Sequence, residues 1–499
     1  MFHSRFLKAA AAGVAFSLAA GAALAEDMTF ALSANVVTLD PHLTTTVGTD
    51  LSVISHIYTP LVIRQPDMKI YPAAAKSWEV TDGLTWTFHL RDDLTFPDGS
   101  KLDAAAVKWN IERILNPETK SPVRAWLTTI KEIKVVDPVT VQFVTDKPFA
   151  SLPDQMSQIF IMSPEWTQSH NPAIEASGTG PYDLVSYVSG DSVTLKAKAG
   201  HVDGAPSFDN VGFRVIPEDS SRIAALLAGE VDLIAGIPPF ELERINGTEG
   251  VSASSESSIR MVYVKFNNLK PPFAGNTKLK LALNYAIDKE ALRDAIWDGQ
   301  GELSRCQPLN PAYFGYNPDL APFPYDPEKA KSLLAEAGFA EGLTLEFEVP
   351  MGRYLLASEM AQAIAAQWAE IGVNTNIVEM EYGRWLDKYQ NAGQMGDLSY
   401  IGQSWPTLTA DGMLGLLEPG NIYAYYDNEE FGNLIREARS LTDNDQRLAL
   451  YKKATESFCA SPAHLVLFDQ PTTYALRDRI KWQARADDIF RAMDISVAK

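Results

Sequence analysis

Between Lys76 and Leu90 the apolar residues fall at alternate positions. Trp78 and Val80 lead into an Asp82-Gly83 turn, and Leu84, Trp86, Phe88 and Leu90 resume the pattern with Thr85, Thr87 and His89 opposite. Such alternation predicts a β-hairpin with one buried, aromatic face. A Pro97-Asp98-Gly99 turn follows, and Asp103 stands where its side chain can accept from the free amides that open a helix. Val107, Ile111, Ile114 and Leu115 share one face of that helix, and Asn116-Pro117 ends it. A hairpin feeding a capped helix predicts a small α+β unit within whatever larger fold the chain adopts.

The chain has 499 residues, which is too long for one hydrophobic core and predicts at least two large lobes. Its first residues carry Arg5 and Lys8, an apolar run over Ala9 to Leu18, and Ala23-Leu24-Ala25 before Glu26. This is the three-part form of a secretory signal peptide, residues 1–25, and the apolar run is far short of the roughly 20 residues of a membrane span. No cysteine lies near the cleavage point, so free export to the periplasm is expected. Removing Arg5 and Lys8 takes the formal charge from −20 to −22, which disfavours nucleic acid and anionic membranes as partners. Cys306 and Cys459 would meet an oxidising compartment, where they either form a disulfide or remain two buried thiols.

Further along, Met28 to Leu32 reads as a strand, Ile54 to Leu61 is apolar at helical spacing, and Asp137-Pro138 divides a second hairpin over Val135 to Val144. Val211 to Ile216, Ser220 to Leu227 and Val231 to Ile234 form a strand, helix, strand series, which predicts a mixed sheet with helices packed on it. A second series follows. Met261 to Phe266 is a strand, Leu279 to Trp297 two helices broken near Asp288, and Asp326-Pro327 opens a helix closed by Gly338. Leu343 to Val349, Ser358 to Ile371 and Val373 to Val378 complete a second α/β lobe.

Chemistry has little to build on. The mature chain's six histidines are scattered, and neither metal-ligand spacing nor a phosphate loop is present. Gly402-Gln403-Ser404-Trp405-Pro406 begins like a nucleophile elbow but has Pro where that turn needs Gly. No catalytic, metal or cofactor residues are assigned.

The words Ser77-Trp78, Asp82-Gly83, Leu84-Thr85-Trp86-Thr87-Phe88, Leu90-Arg91, Phe96 and Asp98-Gly99 resemble the signature of family 5 extracellular solute-binding proteins of bacterial ABC importers. The resemblance extends through Leu39-Asp40-Pro41, Gly178-Thr179-Gly180-Pro181-Tyr182, Phe266-Asn267 and Leu283-Asn284-Tyr285-Ala286-Ile287-Asp288-Lys289, in the family's order. The family's usual glycine two places after the arginine is Asp93 here. The resemblance implies an α/β, two-lobed periplasmic binding protein fold, type II and cluster C-like, with an extra α+β subdomain in lobe I. Lobe I would span 26–265, with the subdomain at about 45–175, lobe II 266–474, and 475–499 would return to lobe I. Hinges are expected near Phe266-Asn267 and Gln470 to Tyr474.

It further implies a monomer that is not an enzyme and that delivers a small solute to an inner-membrane ABC permease. A secreted hydrolase and a periplasmic chaperone are the readings from other classes. Family ligand contacts map onto Thr44, Thr45, Thr46, Arg124, Trp126, Arg353, Tyr382, Trp385, Gln403, Ser404 and Trp405. Arg353 is the sharpest of these, since a guanidinium holds a carboxylate by two parallel hydrogen bonds. Peptide-binding members share a Gly-Trp-x-x-Asp stretch whose acid holds the peptide's ammonium, and aligned on Gly402 that place is taken by Pro406. Asp411 is the nearest downstream acid. The solute is therefore expected to be a short peptide or, alternatively, an oligosaccharide or an opine-like conjugate.

Overall fold

The computed structural model describes residues 27–351, 353–390 and 394–498; the expected signal peptide, 1–25, lies outside them. Among the described residues one 11-stranded sheet runs through both lobes. Its first half sets Tyr182–Val188, Ser192–Ala197, Asn210–Val215, Asp27–Leu32 and Leu233–Ala235 side by side, and its second half sets Leu398–Gln403, Leu343–Met351 and Val373–Glu381. Two long strands, Val251–Phe266 and His464–Arg477, lie between the halves and belong to both.

These strands pair antiparallel from Val251 with Arg477 to Lys265 with His464, and the register shifts between Ser257 and Met261. On one side of that break their partner is Leu233–Ala235, and on the other it is Leu398–Gln403. The break therefore marks the passage from one lobe to the other. Phe266 and Asn267 lie beyond it, with Phe266 buried in the second lobe's core and Asn267 donating to Met395 O at 2.9 Å.

The opening hairpin forms as its alternation predicts. Ala75–Thr81 and Thr85–Leu90 join Thr140–Thr145 and Ile130–Asp137 in a separate four-stranded sheet, with Trp86, Phe88 and Phe143 buried against the helix Ala104–Leu115. Asp103 accepts from the amides of Ala105 and Ala106 at 3.0 and 2.9 Å. The departure at Asp93 is absorbed by Arg91, which grips both oxygens of that carboxylate at 2.9 Å and reaches Asp203 at 2.7 Å. Asp40 anchors its own loop by pairing with Arg113 of the same helix at 2.6 Å, and Arg113 also reaches His42 Nδ1 at 2.8 Å.

One predicted helix is shorter than expected. The helix Ser52–Ile57 stops, and Thr59–Pro60 and Val62–Arg64 are extended. Pro60 is the reason, because a proline excludes the helical region for the residue before it. In Gly178-Thr179-Gly180 the glycines answer to close approach. A Cβ on Gly178 would lie 2.3 Å from Ile57 O and one on Gly180 2.5 Å from His56 O.

Cys306 and Cys459 form a disulfide across a sequence separation of 153, their Cα atoms 5.2 Å apart, which closes the question the sequence left open. A loop of that length supports up to about 5 kcal/mol in the chain-entropy account. Reduction, or Cys306→Ser with Cys459→Ser, should lower the thermal midpoint by several degrees; an unchanged midpoint counts against a stabilising role.

A second expectation concerns acid. Burial pushes His42 down to about 4, helped by the Arg113 charge, and pushes His56 down to about 3. Below the ordinary histidine value near 6.5 the unfolded chain binds protons that the folded core refuses, so stability present at pH 7 is lost as pH falls toward 4. Asp469, which burial raises to about 7, contributes with the opposite sign. The advantage of wild type over His42→Gln should therefore shrink between pH 7 and pH 5 in urea unfolding, by on the order of 2 kcal/mol; an advantage that grows would contradict it.

Candidate ligand cleft

Where the two long strands change lobes, polar side chains gather. Arg260 sits at the break and donates to Gly402 O at 3.2 Å. Gly402 matters because a Cβ there would lie 2.7 Å from the Tyr354 ring and 3.0 Å from Arg260 Cδ. The bare glycine lets both side chains lie flat on the end of the strand Leu398–Gln403. Arg353, exposed just past the strand Leu343–Met351, has its guanidinium 5.7 Å from the Tyr354 ring centre and 5.6 Å from that of Tyr382. Asp488, on the C-terminal return, lies within electrostatic reach of both arginines. Its Oδ1 accepts from Thr472 Oγ1 at 2.8 Å, and the Tyr474 hydroxyl approaches to 3.4 Å.

Burial and the neighbouring Arg353 charge lower the pKa of Arg260, and burial raises that of Asp488. Among the described residues, neither Arg260, Arg353 nor Asp488 takes part in an ion pair. Elsewhere arginines are held by carboxylates, as Arg485 is by Asp487 at 2.7 Å and Arg439 by Asp411 at 2.7 Å.

Aromatic rings close the sides. Trp126 of the extra subdomain and Trp405 of the second lobe have ring centres 5.9 Å apart, tilted by 59°. The Tyr313 hydroxyl accepts from the Trp405 amide at 2.8 Å, which fixes the start of that loop. Arg64, 5% exposed, ties the lobes nearby, donating to Asp154 and to Thr407 O, both at 3.0 Å.

The residues expected from sequence divide accordingly. Arg353 lies over Tyr382 and Trp126 lies against Trp405, while Gln403 and Ser404 form the strand end beside Gly402, with Gln403 donating to Ser404 O at 3.1 Å. Thr45 and Thr46 are exposed, whereas Thr44 is buried and donates to Asp50 at 2.7 Å, bracing the loop that brings Gly48 against Asp488. Trp385 is 2% exposed, donates to Ser399 Oγ at 2.8 Å and stacks on Tyr389 at 4.9 Å, so it belongs to the core. Arg124 donates backward to Leu115 O at 2.9 Å and braces the subdomain. Sequence reasoning missed Arg260, Tyr354, Tyr313 and Asp488. Arg260 interrupts an apolar alternation, which is a faint signal, and Asp488 carries none.

Residues 69–421 match the family model described as bacterial extracellular solute-binding proteins, family 5. The chain belongs to that family. This family 5 protein is 32% identical over 448 residues to heme-binding protein A of Haemophilus influenzae, covering 82% of this chain and 80% of that protein. It is 30% identical over 464 residues to the glutathione-binding protein GsiB of Salmonella paratyphi A, covering 90% of each. The Helicobacter pylori periplasmic binding protein DppA, solved with the peptide STSA, superposes with a TM-score of 0.81 at 24% identity, over 95% of this chain and 98% of the other. The two-lobed fold and the role of solute-binding component of an ABC importer follow from membership, and the relatives named are binding proteins. Among the described residues no helix is long and apolar enough to cross a membrane.

Gly402→Ala should displace Tyr354 and Arg260 while leaving the remote cores untouched. Solute affinity should fall by about tenfold or more with a thermal midpoint close to wild type, since a contact under 3 Å must be relieved by moving one neighbour. Unchanged affinity would separate Arg260 and Tyr354 from binding.

Proposed function

We propose that this family 5 protein captures a carboxylate-bearing, peptide-like solute in the cleft at the lobe crossing and hands it to an inner-membrane permease. One observation carries the reading: Arg260 and Arg353 stand together with no carboxylate paired to either among the described residues. A half-buried guanidinium without a counter-charge is costly, and a ligand carboxylate supplies two parallel hydrogen bonds to it. The tyrosines beside Arg353 and the two tryptophans offer flat apolar surface to the rest of the solute. A net binding energy of about 8 kcal/mol, equivalent to a micromolar dissociation constant, is within reach of such a site.

The names of the relatives support the same chemistry, since glutathione and the STSA peptide both carry carboxylates. Iron coordination by histidine has no support in the cleft. His42, His56 and His464 are buried in the cores, while His89 faces Glu79, His170 stacks on Trp166, and His201 reaches Thr179 O. The protein works as a monomer in the periplasm after removal of residues 1–25, and it makes and breaks no covalent bonds. Loading closes the lobes by a turn at Ser258 to Arg260 and at Gln470, where the long strands lose regular pairing. In this reading the moving bodies are 27–257 with 471–498, and 261–469.

Purified mature protein should carry a co-purifying small anion in native mass spectrometry. It should become more compact in small-angle scattering when solute is returned, and Arg353→Ala should weaken capture by about 30-fold or more. Identical scattering with and without saturating solute, together with full affinity in Arg353→Ala, would overturn the reading.

A further inference from the structure

The charges that line the cleft do more than call for a carboxylate, because their number and placement describe a solute. Two guanidiniums, Arg260 and Arg353, stand with one carboxylate, Asp488: the Ile259 amide donates to Ala486 O at 2.9 Å, which seats the C-terminal return beside Arg260, and Arg260 and Tyr354, the neighbour of Arg353, both lie against Gly402. Asp488 is held for recognition rather than spent in a pair. Thr472 donates to its Oδ1 at 2.8 Å, while Oδ2 has no protein donor among the described residues. Its backbone sits at φ 60°, a left-handed conformation uncommon outside glycine, which sets the side chain between the strand at Thr472 and the loop at Gly48.

The acid that the sequence offered for an ammonium is out of play. Asp411 opens the short helix Ala410–Gly415, and its Oδ1 is taken by Arg439 Nε at 2.7 Å; the same guanidinium also holds Glu418 at 2.9 Å. Pro406 carries no charge at all. A solute with a free ammonium therefore finds one uncommitted carboxylate among the groups described here, on the opposite lobe from the loop 402–406.

We propose that Asp488 is the ammonium-binding residue of this cleft, and that with Arg260 and Arg353 it selects solutes bearing one ammonium and two carboxylates, such as an acidic dipeptide. The proposal rests on the capture reading above and narrows it. One ammonium against Asp488 and one carboxylate against each arginine leave no charge in the closed cleft unpaired, whereas a solute with a single carboxylate leaves one guanidinium without a partner. Burial raises the Asp488 carboxyl above its ordinary range, and an ammonium placed against it favours the ionised form.

The test is titration calorimetry on the mature protein with three probes, Ala-Glu, N-acetyl-Ala-Glu and Ala-Ala. Wild type should bind Ala-Glu at least about 30-fold more tightly than its N-acetyl form, and more tightly than Ala-Ala. Asp488→Asn, nearly isosteric, should erase the preference for the free amine while keeping the wild-type thermal midpoint. Arg353→Ala should weaken Ala-Glu and N-acetyl-Ala-Glu alike. An Asp488→Asn protein that still prefers the free amine, or a wild type indifferent to acetylation, overturns the assignment. Should wild type bind none of the three probes yet compact around a co-purified solute, capture stands and this solute class falls. Absence of both compaction and any bound solute removes the capture reading itself.

Discussion

Everything in this molecule hangs on two antiparallel strands, Val251–Phe266 and His464–Arg477, that hydrogen-bond to each other through both lobes. A sheet is stiff along its ladder and weak where the ladder is interrupted. The interruption here spans Ser257 to Met261. It turns one sheet into two lobes, and it leaves Arg260 with a side chain that no regular cross-strand neighbour covers. The opposite strand contributes Thr472 and Tyr474, paired with Glu256 and Ser254 on the first-lobe side of the break, and they hold Asp488. In the proposed reading the cleft and the point of flexure are one feature.

Around that crossing the polar groups are arranged by what they lack. Most buried charges in the lobes are satisfied internally. Arg113 with Asp40, Arg485 with Asp487 and Asp494, and Arg479 with Asp232 are examples. Desolvating a charge without a partner costs several kcal/mol, and in the proposed cleft the half-buried Arg260 and Asp488 stand outside any ion pair, as does the exposed Arg353. Gly402 contributes by having no side chain, and Tyr313 by holding the Trp405 loop through a main-chain hydrogen bond. None of these features requires bond chemistry, and all of them suit recognition.

Much of the fold was legible beforehand because its signals are local. Alternation over Lys76 to Leu90, the Asp103 cap, the Asp326-Pro327 helix start and the two strand, helix, strand series each depend on neighbours in the chain. Where local reasoning failed, a local rule was overlooked, as with Pro60 cutting short the helix Ser52–Ile57. The site was legible in part. Family words singled out Arg353, Trp126 and Trp405 beside Trp385 and Arg124, and of these Trp385 is buried and Arg124 donates to a main-chain carbonyl of its own subdomain. Helical spacing cannot say which of Tyr382, Trp385 and Tyr389 faces a core, and only packing against Ser399 turns Trp385 inward.

By itself the sequence determined the elements, the two-lobed class, the family and the compositional case against nucleic acid or anionic membranes as partners. The pairing of Cys306 with Cys459, the withdrawal of Asp411 to Arg439 and the meeting of Arg260, Arg353 and Asp488 were decided only by the tertiary structure. The reason is one of range. Propensity, capping and alternation act within a few residues, whereas the charges of the cleft come from positions 93 to 228 apart in the chain, brought together when the last strand returns to close the sheet.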